Sequence, residues 1–542
     1  MTAFCGCCAS LVTGCYGCHG RHDVEKREAT KLTERLWFIF VLLVSFTSLA
    51  NMFFWLSAVN DSADFNRDLA EMTGLWWRYY IFFMALSCAL CGYAALLLIF
   101  AFLHIAIGQQ LQLHGVHKIG IILDLTLSIA LLVFPCTVLG SSSLWHFVPQ
   151  VLQFAGPFLH LVGVIIMTGL SWFVAGGMGT LQRKGLPVRD VALWYFLALL
   201  ALYISPVFIR SPCLLKYEEL PPKPLVFAYR GAEQLAPENT PVAFELALDV
   251  YHAHGIHTDV RISYDGVPYI MRDERLGRTT NVADVFPERY ADHSDSFTLT
   301  ELKQLNAGSW FITCNPFGSA GKLTETEMIR YRKQKIPTLA EMLLQVEERN
   351  KTILFDVRPP PDDHPFHEDW LNITLQTILD SVSGVAEDDV NFWQTPNNDT
   401  KYTFAINTFD ERRLMTAYND IPFFEIRSNA TLNVTTNVWT VNEDWLFSLF
   451  WCAGATSIST SSCQRLRTED APLWQLSPVH FLVMWILFDV VSFVWVVIIF
   501  IIQISRRKRR LQQQGDEPPE RYNYRHFMAL EELSKNQKAV IL

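Results

Sequence analysis

The chain has 542 residues, of which 50% are hydrophobic and 13% aromatic, and its formal net charge is -10. This composition is too apolar for a single soluble domain, and the second half is too charged for a bundle that lies wholly in a membrane. The acidic balance argues against a nucleic-acid partner. We therefore expect a membrane part joined to a water-exposed part.

Residues 1–35 form a cysteine-rich segment that precedes the first apolar run. Five cysteines lie in it, at Cys5, Cys7, Cys8, Cys15 and Cys18. Their closeness to a membrane span suits S-acylation. A zinc site is the alternative, but only His19 and His22 lie nearby and no second ligand pair stands at zinc-finger spacing.

Six apolar runs are each about 20 residues long, which is enough to cross a hydrocarbon core as a helix. They are Leu36–Val59, Tyr80–Ile107, Ile119–Leu139, Phe158–Ala175, Val191–Ile209 and Val479–Ile504. The first lies too far from the N-terminus, and has too many aromatic residues, for a cleavable signal peptide. The chain is thus predicted to have five transmembrane helices over 36–209, a water-exposed domain over 210–477, a sixth transmembrane helix over 478–504 and a tail over 505–542.

Groups of lysine and arginine residues next to these runs fall on one side of the membrane if the chain crosses it six times. They precede the first, third and fifth runs and follow the sixth, as Arg506–Arg510. Since cytoplasmic flanks are enriched in positive charge, both termini are predicted to be cytoplasmic, in the plasma membrane or a membrane of the secretory pathway. The triplets Asn-x-Ser/Thr agree, because all predict glycosylation on the outer side, at Asn60, Asn350, Asn372, Asn398, Asn429 and Asn433.

The region 210–477 alternates predicted strands with helical stretches. Strand candidates are LVFAY, GIHTDVRI, PYIMRD, TILFDVR, YTFAIN and NVWTVN, and helical stretches include 241–253 and 339–348. Its length of roughly 260 residues suits one α/β barrel. Four cysteines of this region lie on the predicted outer side, where the oxidising compartment allows a disulfide to persist: Cys213, Cys314, Cys452 and Cys463. The sequence leaves their pairing open.

Several motifs follow one another in register along this region. They are Tyr-Arg-Gly at 229–231, Pro-Glu-Asn-Thr at 237–240, His-Thr-Asp at 257–259, Asp-Gly-Val-Pro at 265–268, Met-Arg-Asp at 271–273 and Arg-Thr-Thr-Asn at 278–281, with further landmarks at 305–311, 336–341 and 439–442. The set resembles the glycerophosphodiester phosphodiesterase family. Residues 101–110 and 156–160 resemble its multi-spanning animal subgroup. The resemblance implies a six-span transmembrane helical bundle that carries a TIM-barrel ectodomain.

Three residues depart from the family pattern. Family members place histidine, glutamate and a second histidine where this chain has Tyr229, His257 and Arg272. The histidines act as general acid and base in the family, which makes Tyr229, Arg230 and Arg272 the residues at catalytic positions. Tyrosine and arginine have pKa values near 10 and above 12, so they are poor bases at neutral pH. Losing general acid–base catalysis costs about 10²- to 10⁴-fold per group, unless other residues such as His252, His254 or Tyr229 itself take over.

The resemblance also implies a divalent cation, magnesium or calcium, held by Asp259, Asp356 and the residue at position 257. His257 and Asp259 are two apart on a strand and share a face. Replacing a carboxylate by imidazole favours zinc or manganese over calcium. The alternative is that His257 only fills space in a site that binds no metal.

Three arginines, Arg230, Arg272 and Arg358, stand at predicted strand ends and suit bidentate phosphate binding. Alternatively, Arg272 forms a salt bridge with Asp259 or Asp356.

Two functions stay open. One is an outward-facing hydrolase of glycerophosphodiesters or glycan-anchor phospholipids with impaired catalysis. The other is an inactive relative that binds a phosphate ligand or serves as a signalling scaffold. Membrane lipids are the other expected partner. The sequence of the cytoplasmic tail does not identify a binding partner.

Overall fold

The computed structural model describes residues 15–17, 31–57, 69, 73, 79–107, 111–138, 147–183, 188–208, 211–381, 390–394, 402–406, 414–418 and 435–515. The long apolar helices in it are α1 (Leu32–Ser57), α2 (Tyr79–Ile107), α3 (Gly115–Val138), α4 (Phe147–Arg183), α5 (Val188–Ile204) and, after the domain that the sequence predicts to face outward and that we call the ectodomain, α15 (Pro478–Gly515). The N-terminal cysteines other than Cys15, and four of the six predicted glycosylation sites, lie outside the described residues.

Five of these helices, all but α5, are long and apolar enough to cross a membrane. The fifth predicted run gives a shorter apolar helix of 17 residues, Ala192–Phe208, whose last turn is a 3-10 helix over Ser205–Phe208. Pro206 explains the change of geometry, because proline lacks an N–H and disfavours α conformation in the residue before it. Length and composition therefore support five spans directly.

Contacts between helix ends show which ends share a side. Lys118 at the start of α3 lies 2.6 Å from the Glu34 carboxylate at the start of α1, and its ammonium group stacks over the Trp37 ring. Near the other end of the chain, the Arg506 guanidinium on α15 stacks over the Trp172 ring of α4. Each contact joins two segments that the charge pattern puts on one side of the membrane.

The ectodomain is built on a nine-stranded sheet. Its strands are β1 (Leu225–Tyr229), β2 (Gly255–Ile262), β3 (Pro268–Ile270), β4 (Thr352–Val357), β5 (Val390–Gln394), β6 (Tyr402–Ile406), β7 (Leu414–Tyr418), β8 (Thr435–Trp439) and β9 (Ser457–Thr460). The hydrogen-bonded order is β5-β6-β4-β2-β1-β9-β8-β7, with β3 paired to β2. The six consecutive strands from β4 to β7 in this order run parallel to one another, whereas β6 is antiparallel to both β4 and β5.

The sheet curls, and its edge strands β5 and β7 approach each other. In the described residues no ladder joins those two strands, so the sheet is TIM-barrel-like without a closed hydrogen-bonded ring. The helices around it are α6 (Pro241–Glu245), α7 (Val282–Val285), α8 (Leu299–Gln304), α9 (Ser309–Cys314), α10 (Glu325–Arg332), α11 (Leu339–Glu347), α12 (Trp370–Ser381), α13 (Asp444–Ala453) and α14 (Cys463–Leu466).

The two helices predicted in this region differ in outcome. The stretch predicted over 339–348 is confirmed as α11, which begins with a capping box between Thr338 and Glu341. The stretch predicted over 241–253 is too long, since α6 passes into a π-helical turn over Leu246–Val250 and the chain leaves it at His252, whose φ is +52°. Left-handed backbone at a non-glycine residue ends the helix there.

One disulfide, Cys213–Cys452, ties the segment that follows α5 to helix α13. It closes a sequence separation of 239 residues that contains eight of the nine strands, β1 to β8. Cys314 and Cys463 are free cysteines in the described part of the chain. The bridge therefore fixes the first and last parts of the ectodomain to each other.

We expect the double substitution Cys213→Ser with Cys452→Ser to lower the free energy of unfolding of the ectodomain by about 2–5 kcal/mol, because a cross-link over a long loop restricts the unfolded chain. Thermal melting of the full-length protein measures the effect. Cys314→Ser is the control and should leave the melting temperature unchanged. Equal melting of wild type and the double variant would contradict the prediction.

Candidate active site

Four predicted site residues meet near the carboxyl ends of parallel strands. Tyr229 ends β1 and is the register partner of His257 on β2, while Asp259 on β2 is the register partner of Asp356 on β4. Their side chains are almost fully buried, with exposed fractions of 3% or less. Side chains of alternate strand residues share a face, so His257 and Asp259 lie on the same side of β2, as predicted.

Asp259 is surrounded by three guanidinium groups. Its Oδ1 lies 3.2 Å from Nη2 of Arg358 and 3.5 Å from Nε of Arg272, and its Oδ2 lies 3.5 Å from Nε of Arg230. Burial and the charge of Arg272 lower the pKa of Arg358 below its ordinary value. Of the alternatives left open for Arg272, the structure thus contains the salt bridge with Asp259.

A ring of carboxylates completes this charge network. Arg230 Nη1 lies 3.5 Å from both Glu233 Oε2 and Glu238 Oε1. Arg278 binds Glu238 and Asp273, each at 2.6 Å. The network thus holds four guanidinium groups, of Arg230, Arg272, Arg278 and Arg358, and five carboxylates, of Glu233, Glu238, Asp259, Asp273 and Asp356. Before His257 is counted, its formal charge is one negative unit.

Both ring nitrogens of His257 face acceptors. Nε2 lies 3.3 Å from Asp356 Oδ1, and Nδ1 lies 2.8 Å from Ser459 Oγ on β9, which in turn donates to Asn437 Oδ1 on β8. His257 thus links Asp356 on β4 to Ser459 on β9 across the strand ends.

The Asp356 carboxylate is the acidic partner of His257, whose Nε2 faces Oδ1 of Asp356. Burial alone would raise the pKa of Asp356, but the charge and hydrogen bond of His257, together with the charges of Arg358 and Arg272, hold that pKa below its usual value. Asp356 therefore stays ionised in the folded protein at neutral pH. Its negative charge is matched inside the protein by residues of this chain.

Aromatic rings fill the space beside these charges. The Tyr229 ring lies 5.1 Å from that of His257 and 5.9 Å from that of Trp439. Arg230 stacks its guanidinium 4.5 Å over the Tyr229 ring and donates from Nη2 to Tyr229 Oη at 3.0 Å. A phenol oxygen that accepts from a guanidinium is poorly placed to take a proton from a substrate hydroxyl, since Arg230 already donates into its lone pair.

The histidines considered as replacement bases do not reach the site. His254 immediately precedes β2, at the opposite end of the strand from Asp259, and its Nδ1 accepts a hydrogen bond from the Val226 amide. Burial lowers the pKa of His254. His252 lies two residues further back along the chain. The strand ends therefore gather arginines and carboxylates with no histidine beyond His257 in the described part of the chain.

The three predicted metal ligands do not fit a divalent cation in this arrangement. Both oxygens of Asp259 face guanidinium groups, and Asp356 faces a His257 nitrogen that acts as a donor. Over the described residues, no three side chains of His, Cys, Asp or Glu gather as a ligand set. A cation would also meet repulsion from the three arginines around Asp259.

Two members of the network were not predicted. Glu233 lies three residues after Arg230, and Ser459 lies on a strand too polar to stand out from the sequence. Glu238 and Arg278 brace the loops through their ion pair, and Asn239 accepts a hydrogen bond from Thr258. Nothing in the sequence pattern singled out Glu233, because residues 230–235 form a turn and not a helix.

Comparison with known proteins gives the relationship of this chain. Residues 230–462 match the model of the glycerophosphoryl diester phosphodiesterase family. The glycerophosphodiester phosphodiesterase domain-containing protein 5 of Gallus gallus is 35% identical over 520 residues, which cover 92% of this chain and 84% of that protein. The glycerophosphoinositol inositolphosphodiesterase GDPD2 of Mus musculus is 36% identical and covers 93% of this chain and 95% of its own length. An Oleispira antarctica phosphodiesterase solved with sn-glycerol-3-phosphate is 18% identical, covers 46% of this chain and 97% of its own, and has a TM-score of 0.33.

Proposed function

Because the chain belongs to the glycerophosphoryl diester phosphodiesterase family, we propose that it is a membrane-anchored member whose outward domain keeps the family frame but does not hydrolyse phosphodiesters by the family mechanism. The observation that carries the proposal is the Asp259 carboxylate held by three guanidinium groups. These fixed cations stand where a divalent metal would otherwise balance the aspartates. The domain would then act through binding rather than through chemistry.

Phosphodiester hydrolysis by the family route needs two things at this site. One is a cation that polarises the phosphoryl oxygens, and the other is a pair of groups that move protons near neutral pH. Arg272 and Tyr229 stand at the two family histidine positions, and His257 has both nitrogens engaged. Each requirement is thus opposed by a contact within the protein.

The proposed topology has six spans, with α5 as the fifth, and both termini in the cytoplasm. The ectodomain over 210–477 then faces outside or the lumen, which suits the Cys213–Cys452 disulfide. Two of the proposed glycosylation sites, Asn350 and Asn372, are exposed on the ectodomain surface. Enzymatic removal of N-glycans, followed by gel mobility, checks this orientation.

A second candidate function is the binding of a phosphodiester without cleavage. Arg272 favours it, since its side chain is 15% exposed and is the most accessible of the three arginines around Asp259. The mouse relative is named for action on glycerophosphoinositol. Glycerophosphoinositol is therefore the first ligand to test, and glycerophosphocholine tests whether the head group matters.

The test is a hydrolysis assay on the full-length protein with glycerophosphoinositol and glycerophosphocholine, with magnesium, calcium, manganese or zinc present. We expect no turnover above that of a protein-free blank with any metal. Binding of intact glycerophosphoinositol that is lost in Arg272→Met would favour the second candidate. Turnover that Asp259→Ala abolishes would overturn the proposal, because it would show a working metal site.

A further inference from the structure

A cluster of polar side chains lies buried among the membrane helices, far from the ectodomain site. Ser48 and Asn51 come from α1, Ser87 from α2, and Asp124 and Ser128 from α3. All five have exposed fractions of 1% or less. The three helices that supply them are each long and apolar enough to cross a membrane. We call these five residues the intramembrane oxygen cluster.

The cluster presents oxygen atoms from three helices to one another. Ser48 Oγ donates to Asp124 Oδ1 at 2.6 Å, Ser128 Oγ donates to the same atom at 3.2 Å, and the two hydroxyl oxygens are 3.3 Å apart. These three oxygens form a triangle with edges of the size found on one face of a cation's coordination shell. One helical turn beyond Ser48, Asn51 donates its amide N–H to Ser87 Oγ at 3.0 Å.

Two acceptor oxygens of the cluster have no hydrogen-bond partner. They are Oδ2 of Asp124 and Oδ1 of Asn51, both fully enclosed by the protein. Buried polar atoms without partners are uncommon in folded proteins, and where they occur a bound ion or water often satisfies them. Both atoms here are acceptors only, so they call for a donor or a cation.

Asp124 also lacks a balancing charge among the described residues, where its only polar partners are the hydroxyls of Ser48 and Ser128. Asp489 on α15 differs in having a basic side chain nearby, since its Oδ1 lies 3.6 Å from His160 Nε2. An unpaired carboxylate in apolar surroundings is strongly disfavoured. Asp124 therefore requires either a proton or a bound cation.

A proton satisfies this site less well than a cation does. In the described part of the chain, Oδ2 takes part in no hydrogen bond. On Oδ1, a proton would meet two hydroxyl groups that already donate to that atom. A cation can accept the lone pairs of Asp124 and of both serine hydroxyls together, with the hydroxyl protons turned away, and the unpartnered Asn51 carbonyl belongs to the helical turn next to Ser48.

We propose that the intramembrane oxygen cluster binds a monovalent alkali cation of the sodium class between α1, α2 and α3. One carboxylate balances one positive charge, whereas a divalent cation would leave an excess charge in apolar surroundings. The hydroxyl and amide oxygens are hard ligands, which suits a hard cation over zinc or copper. A ligand that binds only the folded state stabilises it by mass action, so sodium would hold these three helices together.

The experiment measures thermal melting of the full-length protein in lipid nanodiscs, followed by tryptophan fluorescence. Sodium chloride is compared with potassium chloride and N-methylglucamine chloride at constant ionic strength and pH. We expect sodium to raise the melting temperature in a saturable way, Asp124→Asn to abolish that rise, and Ser128→Ala to weaken it. Asp489→Asn is the matched control, since it changes an aspartate of the membrane helices outside the cluster, and should keep the sodium response.

Three outcomes would overturn the proposal. Melting temperatures could be equal in all three salts, or they could follow pH with no response to sodium, which would make a proton the occupant. The sodium response could also persist unchanged in Asp124→Asn. If Asp124→Asn fails to fold, Ser128→Ala decides the question, because an unchanged sodium response in that folded variant would also overturn the proposal.

Discussion

Replacing Asp259 by asparagine is expected to destabilise the ectodomain by about 3–5 kcal/mol, the typical cost of removing one partner from a buried ion pair. The substitution keeps the shape of the side chain but leaves Arg230, Arg272 and Arg358 facing one another without the carboxylate between them. Urea unfolding of the full-length protein, followed by ectodomain fluorescence, measures the change. A loss this large would place Asp259 at the centre of the network.

Two further variants separate this effect from a general loss of charge. Asp249→Asn removes an exposed ion pair with Arg349, whose atoms lie 2.8 Å apart, and should cost less than about 1 kcal/mol. Adding Arg272→Met to Asp259→Asn should recover part of the stability, because it removes one of the unbalanced guanidinium groups. A cost for Asp259→Asn no larger than that for Asp249→Asn would refute the role assigned to Asp259.

The triple substitution Tyr229→His, His257→Glu and Arg272→His is expected to create metal-dependent hydrolysis of glycerophosphoinositol, with a rate at least about 10²-fold above that of the wild type, the usual contribution of one acid–base group. It returns a second carboxylate beside Asp259 and removes one guanidinium group from it. It also puts imidazole, with its pKa near 6.5, at the two positions where the family resemblance expects it. Formation of glycerol phosphate or inositol phosphate, with and without magnesium or calcium, measures the gain.

A matched control carries the same three substitutions together with Asp259→Asn, which removes the metal ligand that all versions of the site share. That quadruple variant should lose the gained activity. A triple variant that melts like the wild type, yet forms neither glycerol phosphate nor inositol phosphate with any metal, would contradict the prediction. It would mean that Arg358 or Arg230 still occupies the place of the cation.

Six of the nine strands of the ectodomain were predicted from sequence, and β5, β7 and β9 were missed. All six predicted strands occur, as β1, β2, β3, β4, β6 and β8. Strand β9 was missed because it reads Ser-Ile-Ser-Thr, with hydroxyl side chains that are fully buried. Those hydroxyls bond to Asn437 and His257, so the site itself required polar residues where a hydrophobic pattern would have revealed a strand.

The residues of the site were easier to predict than their pairing. Motif register brought Asp259, Asp356 and the three arginines to neighbouring strand ends, and the structure gathers them there. Sequence left open whether Arg272 binds phosphate or Asp259, since the choice depends on distances of a few ångströms. It also gave no sign that Glu233 would share Arg230, because that contact depends on the left-handed backbone at Arg230 and Gly231.

The most direct test of the central claim is calorimetric titration of magnesium, calcium, manganese and zinc into the full-length protein at neutral pH and constant sodium concentration. If guanidinium groups take the place of a metal around Asp259, the wild type should give no saturable binding that Asp259→Asn removes, whereas the triple variant should bind one of these ions. Saturable one-to-one binding to the wild type that Asp259→Asn abolishes would contradict the account.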